Sequence, residues 1–345
     1  MKVGIIGLPF SGKTTLFRAL TGVVEGGAGA TTDVAVVKVP DPRVEELAKV
    51  FNPRKKTLAE ITFVDVLAGA HSGKGFDSKA VGTMKTTEAL VVIVDAREGE
   101  DDAARDAAAR SALEDVLMEL MLLDLAIAEK RDLRIRKEKT TEADRRAVEK
   151  ALSHLSREEP LRSVTFPEDE ERALSGYQFL TRKPVLVVVN IPEGQQGSRF
   201  PETEAAAGKM DMPVIPLCAA LEGEISALPP EERGEFLKEM GLSEAAQDRL
   251  VRAVYEHLNL ISFLTVGEDE VRAWTIARGT VAQGAGGKVH SDIARGFIRA
   301  EVIAYEAFTA AGSSMATAKK SGKLRVEGKE YVMKDGEIVN FRFNV

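Results

Sequence analysis

Residues 7–22 read GLPFSGKTTLFRALTG and follow the short apolar run KVGII directly. The spacing is Gly7, four residues, and then Gly12-Lys13-Thr14, which is the pattern of a phosphate-binding loop. An apolar strand before such a loop and a helix-like apolar pattern after it are the context in which the pattern has meaning. This stretch therefore predicts a strand–loop–helix unit that holds a polyphosphate.

Each residue type in the loop has a chemical task. The glycines allow a tight turn that points backbone N–H groups at an anion. The ammonium of Lys13 reaches the terminal phosphates and is the candidate catalytic group, while the hydroxyl of Thr14 is a candidate ligand of Mg²⁺. The N-terminus of the following helix favours the same anion. The residues expected to contact the nucleotide here are Phe10, Ser11, Gly12, Lys13, Thr14 and Thr15.

The composition is that of an ordinary globular chain long enough for two or three domains. It has 345 residues, of which 44% are hydrophobic and 29% are charged, and its net charge is −7. That charge argues against a protein that coats nucleic acid with its whole surface. The lone cysteine, Cys218, excludes an internal disulfide. With no apolar run long enough for a membrane span and no signal-peptide pattern, we expect a cytoplasmic protein without membrane contact.

Four apolar runs predict the central strands of a parallel sheet. They lie at 2–6, 60–66, 89–96 and 184–190 and do not alternate, as expected for strands that are covered on both faces. The run at 34–39 alternates better and suits an edge strand. Helical patterns separate the runs, which indicates an open α/β sheet.

Residues 103–158 interrupt the alternation of strands and helices with an extended helical pattern. The first helix has one apolar face, formed by Leu113, Val116, Leu117, Leu120, Leu123 and Ile127. Thr141 and Asp144 are spaced as a capping box for a second helix. The pattern predicts an antiparallel helical hairpin. Its far part, 129–150, holds nine Lys/Arg and six Asp/Glu, which fits either a solvated face or a contact surface for RNA or a ribosome.

The last quarter of the chain predicts a small mixed α+β domain. Strand-like segments with a period of two lie at 271–276, 296–305, 323–328 and 340–345. The Gly-rich segment 282–292 lacks the spacing of a second phosphate loop. We interpret it as a connecting loop.

A nucleotide site needs further contacts in chain order. Asp65 ends an apolar run and is placed like the second Mg²⁺ carboxylate of such sites. The Gly/Ala-rich segment 25–34 carries Thr31 and Thr32. This segment is a candidate switch around the terminal phosphate, with Thr32 as a further metal ligand.

Base recognition is expected after the later strands. Asn190 and Glu193 stand where guanine-nucleotide proteins carry Asn-Lys-x-Asp, whose carboxylate accepts hydrogen bonds from two guanine donors. Here the lysine is replaced by isoleucine and the aspartate by the longer Glu193, which weakens the guanine fork. Cys218, Ala219 and Ala220 follow another strand, where backbone groups would contact the base and Cys218 would be a small buried residue.

These motifs together resemble the YchF subfamily of Obg-related translation-factor NTPases over nearly the whole chain. The segments that carry the resemblance are GLPFSGKTTLFRALTG, VPDPR, KPVLVVVNIPE, LCAALEGEI, VRAWTI, GFIRAEVIAY and EGKEYVMKDGEIVNFRFNV.

The resemblance implies a Ras-like P-loop NTPase domain with an inserted α-helical coiled-coil hairpin and a C-terminal TGS domain of the ubiquitin-like β-grasp fold. The implied boundaries are 1–100 plus 160–258 for the nucleotide-binding domain, 101–159 for the hairpin and 259–345 for the TGS domain. It also implies ATP in preference to GTP, and association with the ribosome through the hairpin and the TGS domain.

The chain departs from this family at positions that bear on hydrolysis. The usual Asp-x-x-Gly is one residue longer here, from Asp65 to Gly69. Neither this family nor this chain has the catalytic glutamine of Ras-like enzymes, and Ala70 and His71 follow Gly69. Relatives often carry a histidine after the third central strand, and residues 95–110 contain none.

Four functions are compatible with these residues. The first is a slow ATPase that acts as a switch on a ribosome or a similar partner. The second is the same switch with GTP as its ligand, and the third is a nucleotide-dependent binding module that scarcely hydrolyses. The fourth, a metabolic P-loop kinase, would need an Arg-rich lid, which the hairpin does not resemble.

Overall fold

Buried Val/Ile/Leu-rich runs form most of the strands, and short polar or glycine-containing segments end them. The computed structural model describes residues 1–21, 34–66, 75–242 and 244–344. The strands of these residues are, in chain order, β1 (Lys2–Gly7), β2 (Val34–Lys38), β3 (Lys55–Thr57), β4 (Glu60–Asp65), β5 (Ala89–Asp95), β6 (Val185–Asn190), β7 (Val214–Leu217), β8 (Leu260–Thr265), β9 (Glu270–Ala277), β10 (Phe297–Ala304), β11 (Arg325–Glu327) and β12 (Glu337–Phe343).

The helices of the same residues are, in chain order, α1 (Lys13–Thr21), α2 (Pro42–Phe51), α3 (Ser78–Lys85), α4 (Asp102–Ile135), α5 (Glu142–Leu155), α6 (Glu168–Leu174), α7 (Pro201–Gly208), α8 (Ala219–Ala227), α9 (Pro230–Glu239), α10 (Ala246–His257), α11 (Ala282–Val289), α12 (Ser291–Arg295), α13 (Tyr305–Ala310) and α14 (Met315–Lys320), with 3₁₀ turns at Leu161–Ser163 and Leu180–Arg182. Several helices begin at a polar cap, among them α2, α3, α4 and α5, whose caps are Asp41, Asp77, Asp101 and Thr141. None of the helices in the described ranges has both the length and the apolarity that crossing a bilayer requires.

The chain divides into two units. The first consists of Met1–Val37 and Thr62–Leu250, and the second of Lys38–Ile61 and Val251–Val345. Residues 38–61 thus group with the C-terminal residues, although the sequence interpretation left them in the nucleotide-binding domain. The finer domain boundaries predicted from the sequence stay a prediction.

The first unit is built on a six-stranded sheet in the order β2-β4-β1-β5-β6-β7. The pairs β1/β4, β1/β5, β5/β6 and β6/β7 are parallel. All of β6 is buried, and so is β5 except for Asp95, which fits strands covered on both faces. The predicted central strands are confirmed, and β2 lies at the edge as expected. The carboxyl ends of β1, β4, β5 and β6 meet at one edge of this sheet.

Helices α4 and α5 form where the extended helical pattern was predicted. Leu113, Val116, Leu117 and Leu120 of α4 are buried and pack into the core of this unit. The cap of α5 is the predicted one, because the Asp144 backbone N–H donates to Thr141 Oγ1 at 3.2 Å. The two helices pack against each other, which places the charged residues of 129–150 around their far ends.

The second unit has a six-stranded mixed sheet in the order β11-β10-β12-β8-β9-β3. The pairs β10/β11, β10/β12 and β8/β9 are antiparallel, whereas β12/β8 and β3/β9 are parallel. Strand β3 comes from residues 38–61 and adds the edge strand beside β9. This pairing is the physical reason why that segment groups with the C-terminal residues.

The prediction of a connecting loop at 282–292 is wrong, because most of that segment is helical. It forms α11 and the start of α12, and Ala282, Ala285 and Gly286 of α11 are buried. A Cβ atom on Gly286 would lie 2.6 Å from Ile293 Cγ2. Glycine here lets α11 pack closely against α12, so the composition that suggested a loop instead serves a tight helix contact.

The single tryptophan lies in the sheet of the second unit. Trp274 on β9 stacks on Phe263 with ring centroids 6.3 Å apart, and its Nε1 donates to Thr265 Oγ1 at 2.9 Å. The guanidinium of Arg272 lies 3.8 Å from the tryptophan ring centroid, which is cation–π geometry. The indole therefore contacts an aromatic ring and a guanidinium, and its N–H has a hydrogen-bond acceptor.

Candidate nucleotide site at the β1–α1 loop

The loop between β1 and α1 requires glycine at both ends of its pattern. A Cβ atom on Gly7 would lie 2.4 Å from the Ile93 backbone oxygen, and one on Gly12 would lie 2.3 Å from Asn190 Nδ2. Gly12 also has a φ of 96°, a region that favours glycine. Close approach of neighbouring strands therefore fixes the two glycines, and the loop curls over the carboxyl end of the sheet.

Lys13 places a buried cation inside this loop. Only 8% of Lys13 is exposed, and its Nζ donates to the Leu8 backbone oxygen at 2.7 Å. Burial lowers the pKa of Lys13, and the charge of Asp65 opposes that shift. The ammonium is thus held at the loop interior, where an incoming anion would gain a full charge–charge interaction in a partly desolvated site.

The structure brings together the two predicted metal ligands that lie within the described residues. Thr14 Oγ1 donates to Asp65 Oδ2 at 3.1 Å. Asp65 ends β4 and is only 5% exposed, whereas Thr14 is exposed in the first turn of α1. A hydroxyl and a carboxylate oxygen therefore meet beside Lys13. No cluster of three or more His, Cys, Asp or Glu side chains suited to a metal occurs in the described ranges.

Asn190 connects the loop to the predicted base-recognition segments. It is buried at the end of β6. Its Nδ2 donates to the Ser11 backbone oxygen at 3.0 Å, and its Oδ1 accepts from the Ala219 backbone N–H at 3.1 Å. One side chain thereby fixes the phosphate loop against the start of α8.

The remaining predicted base contacts differ in how firmly they are held. Cys218 is buried, as predicted, and caps α8 by accepting from the Leu221 N–H at 3.5 Å. Ala219 is buried and Ala220 is exposed. Glu193 is exposed, and no hydrogen bond or ion pair joins it to any residue that the structure describes. The structure therefore groups Asn190 with Ala219 and leaves Glu193 outside that group.

Several predicted contacts fall outside the described residues. Thr31 and Thr32 of the candidate switch lie there, as do Gly69, Ala70 and His71. Thr15 and Phe10 are described, and both are exposed at the loop. Phe10 has a φ of 65°, which is the left-handed region.

The structure adds one residue that the sequence interpretation missed. Arg97, just after β5, donates from Nη2 to the Phe10 backbone oxygen at 2.6 Å. Its guanidinium also donates two hydrogen bonds to the Asp95 carboxylate, from Nε to Oδ1 and from Nη2 to Oδ2, both at 2.8 Å. These bonds lower the pKa of Asp95. The only sequence signal was a charged Asp-x-Arg step at a strand end, where site residues of α/β sheets collect.

Around the loop lies a cavity of about 360 Å³. It is lined by Phe10, Gly12, Lys13, Thr14, Thr15 and Arg97. All but Arg97 belong to the predicted phosphate loop. The arrangement offers backbone amides and a buried ammonium to an anionic group, and the Thr14 and Asp65 oxygens beside it are candidate ligands for a metal ion bound with that group.

Comparison with known families matches both units. Residues 2–123 match the family model MMR_HSR1, described as 50S ribosome-binding GTPase. Residues 260–344 match YchF-GTPase_C, described as a protein of unknown function (DUF933). Among curated proteins, the chain is 37% identical to a protein of Bacillus subtilis (strain 168) named Ribosome-binding ATPase YchF, with 100% of both chains covered. A protein of the same name from Escherichia coli O157:H7 is 36% identical, with 100% of this chain and 99% of the relative covered.

Solved structures agree with the sequence relatives. The chain is similar to the structure of the Schizosaccharomyces pombe YchF GTPase, with a TM-score of 0.87 and 28% identity over 99% of this chain and 97% of the other. A GTP binding protein from Pyrococcus horikoshii OT3 shares the fold with a TM-score of 0.61 and 20% identity, covering 100% of both chains. From the phosphate loop at its start to the C-terminal match at its end, the chain therefore belongs to the YchF family.

Proposed function

We propose that this chain binds ATP with Mg²⁺ at the β1–α1 loop, hydrolyses it slowly, and associates with the ribosome as a nucleotide-dependent switch. The observation that carries the proposal is the buried Lys13 beside the Thr14–Asp65 pair, at a distance of 3.1 Å between the two side-chain oxygens. The names of the curated relatives, Ribosome-binding ATPase YchF, support the activity and the partner.

The loop suits a polyphosphate for a geometric reason. The close approaches at Gly7 and Gly12 leave no room for a side chain, so the loop backbone lies directly against the ends of β5 and β6. Amides of residues 10–15 and the N-terminus of α1 would donate to phosphate oxygens. Lys13 would exchange its bond to the Leu8 oxygen for a bond to the terminal phosphates. The protein's main catalytic contribution is then electrostatic stabilisation of charge on the transferred group.

The same edge of the sheet fits a magnesium ion bound with the nucleotide. Thr14 Oγ1 and Asp65 Oδ2 are hard oxygen ligands, and two protein ligands suffice when phosphates and water complete the coordination. Bound Mg²⁺ neutralises charge on the phosphates. Thr32 of the candidate switch, or its neighbour Thr31, is the proposed further ligand.

The base segments favour ATP over GTP. Glu193 replaces the shorter aspartate of the guanine pattern, and buried Ile191 replaces its lysine. The backbone around Cys218, Ala219 and Ala220 would contact the base edge. Because a site that hydrogen-bonds a base discriminates strongly against a base lacking those groups, a weakened guanine fork removes the main advantage of GTP.

Hydrolysis by the chain alone is expected to be slow. The described residues that line the cavity carry no carboxylate, amide or imidazole to orient a water molecule. Ras-like switches without such help turn over at about 10⁻⁴–10⁻³ per second. A partner that orders the switch segment would raise this rate.

The finer architecture gives the proposed partner surfaces. We assign residues 101–159, which contain α4 and α5, as the coiled-coil hairpin, and residues 259–345 as a TGS domain of the β-grasp fold. The segment 129–150, around the far ends of the two helices, carries nine Lys/Arg and six Asp/Glu and is therefore net positive. Such a basic surface suits contact with ribosomal RNA.

Two measurements test the proposal. Titration with labelled ATP and GTP at equal Mg²⁺ is expected to give the lower Kd for ATP, and a Kd for GTP that is about tenfold lower or more would overturn the assignment of the base. Single-turnover hydrolysis with and without ribosomes is expected to show a slow rate that ribosomes increase. A rate of zero in both conditions, with intact ATP binding, would instead indicate a binding module.

A further inference from the structure

Two consecutive carbonyl groups of the phosphate loop are held from outside the loop. Arg97 Nη2 donates to the Phe10 oxygen at 2.6 Å, and Asn190 Nδ2 donates to the Ser11 oxygen at 3.0 Å. Asn190 was expected at the site from the sequence. Arg97 was not, and it comes from the end of β5, 87 residues away from Phe10 along the chain.

Arg97 does not reach the loop as a freely rotating side chain. Asp95 binds it through two parallel N–H···O bonds of 2.8 Å, and the Arg97 backbone N–H donates to Asp95 Oδ1 at 3.1 Å. A bidentate guanidinium–carboxylate pair fixes direction as well as distance. We call this pair, with its bond to the Phe10 oxygen, the Asp95–Arg97 clamp.

Holding a carbonyl fixes the next amide as well. In a planar trans peptide the C=O of one residue and the N–H of the next point in opposite directions. Because the clamp fixes the direction of the Phe10 oxygen, it also fixes that of the Ser11 N–H, which donates to the Leu8 oxygen within the loop at 3.3 Å. By the same reasoning, the bond from Asn190 to the Ser11 oxygen orients the Gly12 N–H towards the loop interior.

The loop needs such support at Phe10 in particular. This residue has a φ of 65°, a region that a side chain with a bulky ring adopts only when its surroundings impose it. The residue is 91% exposed, so its side chain gains little from packing. The bond from Arg97 is the contact from outside the loop that the structure shows for this peptide.

Residues 191–198, directly after β6, contain no Lys or Arg for this task. Ile191 follows Asn190 directly and is a buried aliphatic residue. Arg97 lines the same cavity as Lys13 and Thr14. The site thus obtains its outer cation from β5 rather than from the base-recognition segment.

We propose that Arg97 is a positioning residue of the nucleotide site, which holds the phosphate loop in its anion-receptive form before a nucleotide arrives. The inference rests on the proposed nucleotide binding and adds a residue to it. Since the clamp acts on the loop backbone, it supports the polyphosphate of ATP and GTP equally. It has no influence on which base is preferred.

The first test compares nucleotide affinity across three variants. Arg97→Ala is expected to raise the Kd for both ATP and GTP about tenfold, the range for a lost bond to a charged group, with an unchanged ratio between them. Arg97→Lys keeps the charge but loses the fork, and is expected to recover part of the affinity. Arg110→Ala is the matched control, because Arg110 is also ion-paired, through Glu114 and Glu202, and has 43% side-chain exposure against 45% for Arg97.

The second test needs no nucleotide. Hydrogen exchange of the Ser11 amide in ligand-free protein is expected to be several-fold faster in Arg97→Ala than in the wild type, and unchanged in Arg110→Ala. Unchanged exchange would overturn the clamp. Faster exchange with unaltered Kd values would overturn the positioning role. If the wild-type chain bound neither triphosphate, the proposed function would fail, while the exchange measurement would still decide whether the clamp exists.

Discussion

The two ends of the candidate nucleotide cleft differ in how far the folded chain organises them. At the phosphate end, Lys13 is buried, Asn190 makes two hydrogen bonds, and Arg97 donates a hydrogen bond to the loop backbone at Phe10. At the base end, Glu193 is exposed and makes no hydrogen bond to a described residue. Preorganised groups contribute the most to binding because their ordering cost is met on folding. We therefore expect affinity to depend on the polyphosphate and base preference to depend on a side chain that only the ligand orders.

The largest loss of affinity is expected from Lys13→Met, which keeps most of the apolar side chain and removes the charged ammonium. We expect the Kd for both triphosphates to rise about 100-fold, because each lost charged hydrogen bond is worth up to about 3 kcal/mol. Isothermal calorimetry measures the loss. The free energy of unfolding should not fall, because the substitution removes a desolvated ammonium, so a destabilised variant would contradict this account of Lys13.

Asn190→Ala is expected to weaken both the fold and the site. It leaves the Ser11 carbonyl and the Ala219 N–H without partners, at about 1–3 kcal/mol for each buried group. The thermal midpoint of the first unit should fall, and the affinity for ATP and GTP should fall together. Asn340→Ala, at an exposed position of β12, is the control and should change neither.

Alkaline pH is expected to lower the affinity for a triphosphate to an intermediate extent. Burial lowers the pKa of Lys13 from its ordinary value of 10.5, so its ammonium loses its proton at a lower pH than an exposed lysine does. A triphosphate favours the charged form, so affinity should fall several-fold as the pH rises through this lowered pKa, and binding there should take up protons. Calorimetry in two buffers of different ionisation enthalpy measures that uptake. Lys13→Met should abolish it, and uptake that persists would assign it to another group.

The smallest change in Kd is expected from substitutions of Glu193, at the base end. Glu193→Ala should change the Kd for ATP by less than about threefold, because an exposed group that must be ordered on binding contributes little net free energy. Glu193→Asp should shift the ratio of affinities towards GTP by a similar factor. A tenfold or larger loss with Glu193→Ala would show that the ligand orders this end as firmly as the phosphate end.

The features that could be predicted from the sequence are those that depend on residues close together in the chain. The Gly7–Gly12–Lys13 spacing, the non-alternating runs of β5 and β6, and the Thr141–Asp144 cap each depend on residues within one element and its ends. Asp65 could be paired with Thr14 because parallel strands place their carboxyl ends at one edge. Local patterns were sufficient for these features because their conformation does not depend on a distant partner.

The features that were missed depend on distant partners. The bond from Arg97 to Phe10 joins residues that no periodicity relates. The helix α11 was taken for a loop because its glycines lower helix propensity, whereas the packing of Gly286 on Ile293 decides the conformation. The joining of β3 to β9 follows from pairing across more than 200 residues, as in Lys55 with Glu270. Tertiary contacts override local preference in each case.

The position of the single tryptophan has a practical consequence. Because Trp274 lies in the second unit and contacts Phe263 and Arg272 there, intrinsic indole fluorescence monitors the melting of that unit selectively. A heat-capacity scan sees both units, so the difference between the two traces isolates the unit that carries the phosphate loop. Each substitution at the cleft then has an internal optical reference within its own polypeptide.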